Sequence, residues 1–468
     1  MISFSSPVFV LSFIILCLIL YRTKGCTKQN IIITIFSLII YAFADWRFLI
    51  ILLIEILVCY FSGYFIIKYE KCRKKILVVS ICILISILAI FKYFNFFIDT
   101  IGNMISIGNT VHLKIIIPLG ISFYTFMGIS YVCDVYKGKI DGSPDFVSVA
   151  MYLSFFPHIT SGPITKARDF IAQISKPRAF YIENLETGAQ IFLFGLFKKM
   201  VIADRLSVYV DTVYKCSNAY SGLTILFVSI AYSIQLYCDF SGYSDMAIGI
   251  AKILGINLKR NFNMPYISKN PTEFWKRWHI SLSEWLQEYL YIPLGGNRKG
   301  ITRTYFNLLL TMLLGGLWHG ANWKYVIWGA VHGIALVIHK LFMKYVVSKH
   351  RSIAESKLLK SVSVVFTFIF VNLCWVLFRA ESISQARNVI IRIIICASGI
   401  AYNYVYFFIF AVLLVIAYYV GIKYGKGDGF YPTVKLNTLF GKTLFCLVVL
   451  AIIVYGYYGN TAFIYAQY

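Results

Sequence analysis

The run of residues 48–67, FLIILLIEILVCYFSGYFII, decides the fold class. Its length matches the roughly 20 apolar residues that a helix needs to cross a bilayer. The chain contains eleven further apolar runs, two before this one and nine after it: Pro7–Tyr21, Ile31–Ala44, Ile76–Phe97, Ile115–Val135, Thr187–Val201, Leu223–Tyr237, Tyr305–Leu317, Tyr325–Phe342, Val362–Phe378, Val405–Ile422 and Thr443–Tyr458. Several are shorter than a full span, so the sequence predicts about ten to twelve transmembrane helices, some of them re-entrant or broken.

The composition agrees with a membrane protein. Of 468 residues, 59% are hydrophobic and 14% are charged, whereas soluble proteins have about 45–50% and about 25%. A mean hydropathy of +0.74 leaves too little polar surface to cover a water-soluble globule. We therefore expect an all-α polytopic protein that forms one integral membrane domain over residues 1–468.

The charge is strongly basic, with 44 Lys and Arg against 20 Asp and Glu and a net charge of +24. Such a chain can bind nucleic acid, but these charges lie in short loops between apolar runs, which is typical of cytoplasmic loops. Residues 22–28 and 68–75 are two such loops, so we expect an extracytoplasmic N-terminus and no nucleic-acid partner. By the same argument, residues 443–468 form a last transmembrane helix and an extracytoplasmic tail. No basic segment precedes Pro7–Tyr21, which favours a helix over a signal peptide.

Cysteine and histidine spacing predicts no resident metal or cofactor. The eleven cysteines are scattered and include no C-x-x-C pair, so neither a disulfide framework nor a metal site is expected. His279, His319 and His332 lack the paired spacing of zinc ligands. For His332 and His339, seven residues apart on one helix face, the expected role is packing or contact with lipid headgroups.

The segment LLGGLWHGANW at 313–323 carries the strongest candidate for chemistry, His319. It ends an apolar run, and Gly315, Gly316 and Gly320 would let a backbone or a substrate approach the imidazole. Because ionisation is costly at this depth, His319 is expected to be neutral at rest and able to accept a proton. That suits a general base which deprotonates a hydroxyl as it attacks a thioester. The alternative is a packing histidine bonded to a neighbouring carbonyl.

Residues 270–289 are predicted to form one amphipathic helix. Asn270 is a suitable N-cap, with Pro271 at the first helical position and Glu273 at the third. At about 100° per residue, the tryptophans share one face and most charged residues the other, as in an interfacial helix that uses tryptophans as anchors. His279 falls on the apolar face, where a satisfied core histidine is the alternative to a catalytic one.

Two polar segments interrupt the apolar pattern in the middle of the chain. Residues 155–164, FFPHITSGPI, predict a loop or broken helix that lines a substrate path. Residues 237–245, YCDFSGYSD, place two carboxylates at the end of an apolar run. Charges there tend to face a cavity or a cationic partner. The alternative is a helix terminus, with Asp245 in the first turn of the next helix.

Several motifs, in order, resemble those of the membrane-bound O-acyltransferases. They are DFSGYSD at 239–245, FWKRWHISLS at 274–283, YIPLGGNR at 291–298 and GGLWHGANW at 315–323. Together with FSSPVF at 4–9 and YAFADW at 41–46, they look most like the AlgI-like bacterial alginate O-acetyltransferases. The resemblance covers nearly the whole chain.

The resemblance implies transmembrane helices around a central funnel, with broken helices and interfacial amphipathic helices. It implies that cytoplasmic acetyl-CoA enters the funnel, that His319 serves transfer and that His279 assists. The acetyl group then passes to an acceptor outside the bacterial plasma membrane, through an extracytoplasmic partner of the SGNH (AlgJ-like) type. Residues placed at the substrate are Asp239, Ser241, Trp318 and Asn322.

The donor and the kind of acyl group are also expectations at this point. Lys276, Arg277 and Arg298 are candidates for binding CoA phosphates, with contact to lipid headgroups as the alternative. The D-alanyl transfer protein DltB is a relative with the same two histidines. The sequence at 314–322 resembles the AlgI-like branch more, which favours acetyl over D-alanyl.

The tail FIYAQY at 463–468 is aromatic and uncharged. It resembles the C-terminal motif of the small relay peptide DltX, which implies that Tyr465 acts as a transient acyl carrier. Tyr468 stands where the motif ends in phenylalanine. The alternative is an interfacial aromatic anchor.

A transporter or flippase is the main competing function, since it also explains many spans and intramembrane charges. It predicts interrupted helices in both halves, whereas the sequence is interrupted in the middle. The acceptor stays open among alginate, peptidoglycan, teichoic-type polymers and other exopolysaccharides.

Overall fold

The computed structural model describes residues 4, 6–105, 112–140, 142, 144–179, 181–349, 356–403, 408–409, 411–412, 415–416 and 433–459. The named elements in this part of the chain are all helical, which confirms the all-α class. The α-helices are α1 Pro7–Arg22, α2 Cys26–Ala42, α3 Trp46–Lys68, α4 Arg73–Leu88, α5 Phe94–Met104, α6 Ile121–Tyr136, α7 Phe146–Ser154, α8 Ala167–Ile174, α9 Ile182–Phe197, α10 Asp204–Lys215, α11 Gly222–Ile253, α12 Pro271–Arg277, α13 Ile280–Trp285, α14 Ile301–His319, α15 Trp323–Phe342, α16 Lys357–Arg379, α17 Ile383–Ile394 and α18 Leu439–Tyr455. Segments Ala89–Tyr93, Lys198–Ala203, Leu286–Tyr291 and Met343–Val347 are π-helical.

Within the described part of the chain, five helical stretches are long and apolar enough to cross a membrane. They are Trp46–Lys68, Glu70–Met104, Gly222–Ile253, Trp323–Val347 and Leu358–Arg379. Helices α1, α2 and α18 are apolar but shorter. All of these coincide with predicted runs, which confirms a polytopic membrane protein. The predicted runs at 187–201 and 305–317 lie mainly on α9 and α14, which are outside this set, and most of 405–422 lies outside the described residues.

The run predicted from Ile115 becomes helical later than its hydrophobicity indicates. Residues 112–118 are not helical, and α6 begins at Ile121. Gly120, at φ 75°, occupies the left-handed region immediately before the helix, a conformation that glycine adopts at little cost. Pro118 disfavours a helical conformation in the residue before it. Local backbone chemistry therefore overrides hydrophobicity here.

The chain divides into two compact units, residues 1–189 with 246–259 and residues 190–245 with 260–468. In the first unit, residues 155–165 form a non-helical, fully buried segment between α7 and α8, which confirms the predicted loop or broken helix. His158 is held inside it, 2.9 Å from Thr165 Oγ1 through Nδ1 and 2.8 Å from the Tyr152 carbonyl oxygen through Nε2. Both ring nitrogens serve the fold, so His158 stabilises the segment.

In the second unit, α14 and α15 pack in backbone contact through glycines. A Cβ at Gly316 would lie 2.2 Å from the Tyr325 carbonyl oxygen, and one at Gly329 would lie 2.3 Å from that of Met312. Both distances are shorter than atoms can approach, so each site requires glycine. Gly320 likewise lies against the Tyr325 ring. Of the three glycines that we expected to open space around His319, Gly316 and Gly320 instead fix α14 against α15, whereas Gly315 faces Leu286.

Candidate active site

His319 is the last residue of α14 and is 4% exposed. Three aromatic rings surround it, with centroids 5.1 Å away for Trp318, 5.1 Å for Trp328 and 5.6 Å for Phe378. The glycine contacts between α14 and α15 set the position of this helix end. His319 is therefore a buried imidazole among aromatic rings, and its burial agrees with the sequence prediction.

The predicted helix over 270–289 is wrong in its middle. Asn270 does cap α12, where its side chain accepts from the Glu273 N–H at 2.8 Å, as predicted. The helix ends at Arg277, Trp278 is extended, and His279 has φ 44° and ψ 54° before α13 begins. This left-handed conformation is uncommon for residues other than glycine, although histidine is among those that adopt it more often.

The residues 261–263 explain the break. The Asn263 N–H donates to the Arg277 carbonyl, and the Ile280 N–H donates to the Asn261 carbonyl, both at 2.8 Å. These bonds satisfy backbone groups that a helix end leaves without partners. Helical periodicity depends only on neighbouring residues in the sequence, so it cannot predict the pairing of residues 261–263 with Arg277 and Ile280.

Asn261 also holds the His279 side chain. Its Oδ1 accepts from the Ser281 backbone N–H at 3.2 Å and lies 3.1 Å from His279 Nδ1. Because that oxygen is an acceptor, Nδ1 carries the proton and Nε2 carries the lone pair. His279 is fully buried, and burial lowers its pKa to about 3. It is therefore neutral at physiological pH, with one fixed tautomer.

Trp318 brings the two predicted catalytic histidines together. Its ring centroid lies 5.9 Å from that of His279 and 5.1 Å from that of His319. On its other side, His279 is perpendicular to Phe240, at 4.7 Å. Phe240 stands between Asp239 and Ser241 in sequence, so the DFSGYSD motif and both histidines belong to one neighbourhood.

Asp239 and Ser241 lie in a buried charged network. Lys199 Nζ is 2.6 Å from Asp239 and 2.7 Å from Asp204, and Lys198 Nζ donates to Ser241 Oγ at 2.9 Å. Lys198 also pairs with Asp245. Helix α11 runs unbroken through this motif, so the helix-terminus alternative is wrong. The cationic partners anticipated for these carboxylates are the two lysines.

These lysines are the residues that our reading of the sequence missed. They stand side by side inside the predicted apolar run Thr187–Val201. Charged residues at membrane depth need partners, so adjacent lysines in an apolar run were the available signal. Their pairing with a helix some forty residues later had no local signal.

The tryptophans predicted to anchor an interfacial helix lie in the protein core instead. Trp278 is 0% exposed and Trp285 is 6% exposed. Trp278 stacks on Phe274 at 5.7 Å and contacts Trp375 at 4.8 Å. The break at His279 turns this segment inward, which explains the difference.

The remaining predicted residues lie at the periphery or outside the described chain. Asn322 is exposed and caps α15 by accepting from the Lys324 N–H at 3.0 Å. Arg277 pairs with Glu273 at 2.9 Å. The side chains of Lys276 and Arg298 are exposed and form no ion pair with the described residues. Tyr465 lies outside the described residues.

His332 and His339 have contacts that differ from those of the two candidate catalytic histidines. His339 Nδ1 lies 2.8 Å from Thr272 Oγ1, and His332 is buried among aromatic rings, so both have packing contacts. Within the described ranges, no group of three His, Cys, Asp or Glu side chains could hold a metal ion.

We expect Asn261→Ala to lower the acyl transfer that the resemblance implies on the order of tenfold or more, because the His279 tautomer and ring orientation lose their fixed partner. The loss of a buried acceptor should also destabilise the fold by about 1–3 kcal/mol. Transfer rate and thermal stability would be measured in detergent. Asn261→Asp, which keeps the acceptor oxygen, should retain more activity, and the exposed Asn257→Ala should match the unmodified protein. Equal activity of Asn261→Ala and Asn257→Ala would refute this role.

Comparison with known proteins adds the following. The sequence profile of MBOAT, the membrane-bound O-acyltransferase family, matches residues 139–350. The chain is 39% identical over 398 residues to the probable alginate O-acetylase AlgI of Pseudomonas aeruginosa, covering 82% of this chain and 73% of the relative. It is 35% identical over 420 residues to the peptidoglycan O-acetyltransferase of Helicobacter pylori, covering 83% and 79%. It is 29% identical over 274 residues to the teichoic acid D-alanyltransferase of Bacillus subtilis, covering 56% and 69%.

Proposed function

This chain belongs to the membrane-bound O-acyltransferase family and is an O-acyltransferase; on that premise, we propose that it transfers acetyl groups from cytoplasmic acetyl-CoA to an acceptor outside the bacterial plasma membrane. The observation that carries the proposal is the buried pair His279 and His319, both in contact with Trp318. The proposed acceptor is a surface polysaccharide or peptidoglycan; alginate and peptidoglycan are the substrates in the names of two relatives.

In the proposed reaction, His319 acts as general base. Its imidazole takes the proton of an acceptor hydroxyl while the hydroxyl oxygen attacks the thioester carbonyl carbon. The resulting oxyanion collapses, the carbon–sulfur bond breaks, and the thiolate takes the proton back from His319. Atoms and charge balance without another reactant. His279, with Nδ1 bound to Asn261, offers the Nε2 lone pair as an acceptor that helps to orient the hydroxyl.

We propose Tyr465 as the first acceptor, which then passes the acetyl group to an SGNH (AlgJ-like) partner. The support is the attachment of the chain just before the tail. Arg205 donates to the Tyr455 carbonyl at 3.0 Å and to the Gly456 carbonyl at 3.2 Å. The Tyr457 N–H donates to the Met200 carbonyl oxygen at 3.0 Å. Met200 belongs to the π-helical segment that carries Lys198 and Lys199. Tyr465 comes six residues after Gly459, so Tyr465 lies at most about 20 Å from Gly459.

The topology in this proposal follows the distribution of basic loops, with both termini outside the cytoplasm. Lys276 and Arg298 are exposed cations, and cations bind phosphate oxygens strongly. They are the proposed contacts for the phosphates of CoA if their face is cytoplasmic. Arg277 is the weaker member of this set because it already pairs with Glu273.

D-alanyl transfer is the second candidate, because a teichoic acid D-alanyltransferase is also a relative. Acetyl transfer is favoured over it because the O-acetyltransferases match at higher identity and over more of this chain. Radiolabelled acetyl-CoA and a D-alanyl-loaded carrier protein would be given separately to membranes with and without the chain. We expect chain-dependent labelling from acetyl-CoA. Labelling from the D-alanyl carrier alone would replace the proposal with the second candidate, and no labelling from either would contradict both.

A further inference from the structure

Four buried nitrogen-bearing side chains in the second unit have no hydrogen-bond partner among the described residues. They are His332 and the indoles of Trp275, Trp328 and Trp375. His332 and Trp375 are 0% exposed, and Trp328 is 1% exposed. An indole N–H can only donate, and a neutral imidazole has one donor and one acceptor. We call these four residues the indole cluster. They place several N–H hydrogen-bond donors close together.

The members of the indole cluster contact one another. Ring centroids of His332 lie 4.7 Å from Trp328 and 5.2 Å from Trp275, and Trp375 stacks on Trp328 at 5.7 Å. A buried donor without a partner costs about 1–3 kcal/mol, and folded proteins contain few such groups. An aromatic ring without a polar hydrogen, such as that of phenylalanine, would avoid this cost. The repeated choice of donor-bearing rings indicates that at least one donor is used when substrate is bound.

Trp328 connects the indole cluster to the site of chemistry. Its ring lies 5.1 Å from that of His319 at an interplanar angle of 87°. The other described cluster members have no ring contact with His319. Because α15 is packed against α14 through Gly316 and Gly329, Trp328 and His319 keep a fixed separation. A donor held rigidly beside a base, in a site that excludes water, is the arrangement that stabilises a developing oxyanion.

We propose that the indole N–H of Trp328 donates a hydrogen bond to the oxyanion formed when the acceptor oxygen attacks the thioester. This inference rests on the proposed acyl transfer and adds a catalytic residue to it. As the carbonyl π bond breaks, its electron pair moves to oxygen, where Trp328 donates. When the thiolate leaves, that pair forms the ester carbonyl again. The N–H has no partner among the described residues of the resting protein and gains one in the transition state, so its hydrogen bond lowers the barrier selectively.

The test removes this single N–H. Replacing Trp328 with benzothienylalanine through genetic code expansion keeps the ring shape and substitutes sulfur for the N–H. We expect kcat to fall on the order of 100-fold, with KM for the donor nearly unchanged. Melting temperature should stay the same or rise, since a donor without a partner contributes no stability. The same replacement at Trp375, an indole of the cluster without contact to His319, is the matched control and should keep kcat.

Two outcomes would overturn the assignment. One is a Trp328 variant with the kcat of the unmodified protein. The other is a fall in both kcat and melting temperature that is as large in the Trp375 variant as in the Trp328 variant. That result would indicate a structural role for both residues. Each variant is compared with the unmodified protein using whichever acyl donor that protein accepts. If the proposed donor is wrong, the unmodified protein will not use acetyl-CoA. If the role of Trp328 is wrong, the ratio of the variant rate to the unmodified rate will stay close to one.

Discussion

Membranes that carry His319→Gln should lose acyl transfer on the order of 1,000-fold, within the range that general base catalysis contributes. Glutamine resembles histidine in size, so contacts with Trp318, Trp328 and Phe378 should largely persist. Its amide does not accept a proton near neutral pH, which removes the base and leaves the acceptor hydroxyl protonated as it attacks. The measurement is label transferred from acetyl-CoA, normalised to the amount of folded protein.

The matched control is His339→Gln. His339 is half-buried on α15, where it contacts Thr272 at 2.8 Å, and it has no proposed part in transfer. We expect its variant to work at close to the rate of the unmodified protein. If His319→Gln retained a similar rate, His319 would be a packing residue and the base would have to be sought elsewhere.

The second large effect is expected for Tyr465→Phe, which should reduce surface acetylation to background. The change removes only the phenolic oxygen, which is the atom that would carry the acetyl group. An aromatic anchor at the membrane interface would tolerate it, since phenylalanine keeps the ring. Acetyl content of the isolated surface polymer is the measurement, together with the amount of protein in the membrane.

Tyr468→Phe serves as the control for this prediction, because it makes the same chemical change three residues later. It should leave acetylation intact. Normal acetylation in Tyr465→Phe would exclude the relay. An equal loss in both variants would assign the tail a binding role without a covalent intermediate.

The class of fold and the burial of both histidines could be predicted from the sequence, because each depends on signals within a few residues. The run at 48–67 becomes α3, and His319 ends α14 as its position after an apolar run indicated. The Asn270 cap was also predictable, since a cap is a contact between neighbours in sequence. The motif resemblance added the pairing of His279 with His319, which no periodicity could supply.

What the sequence did not indicate depends on contacts between distant residues. The left-handed turn at His279 is stabilised by contacts with Asn261 and Asn263. The amphipathic pattern of residues 270–289 does not reveal the turn, because the same pattern is compatible with a continuous helix. The lysine partners of Asp239 and Asp245 come from another helix. The sequence shows glycines near His319, but it does not show whether they make room for a substrate or for a neighbouring helix. That depends on the positions of Tyr325 and Met312.

The close contact of α14 and α15 has a consequence for how the enzyme responds to its lipid. Bilayers differ in thickness, and single helices adapt by tilting or by thinning the lipid around them. With Gly316 and Gly329 fitted against opposing carbonyls, these two helices have little freedom to slide, so they should tilt as one body. A change in fatty-acid composition should then alter how readily donor and acceptor arrive, while the distance between His319 and its neighbours on α15 stays constant.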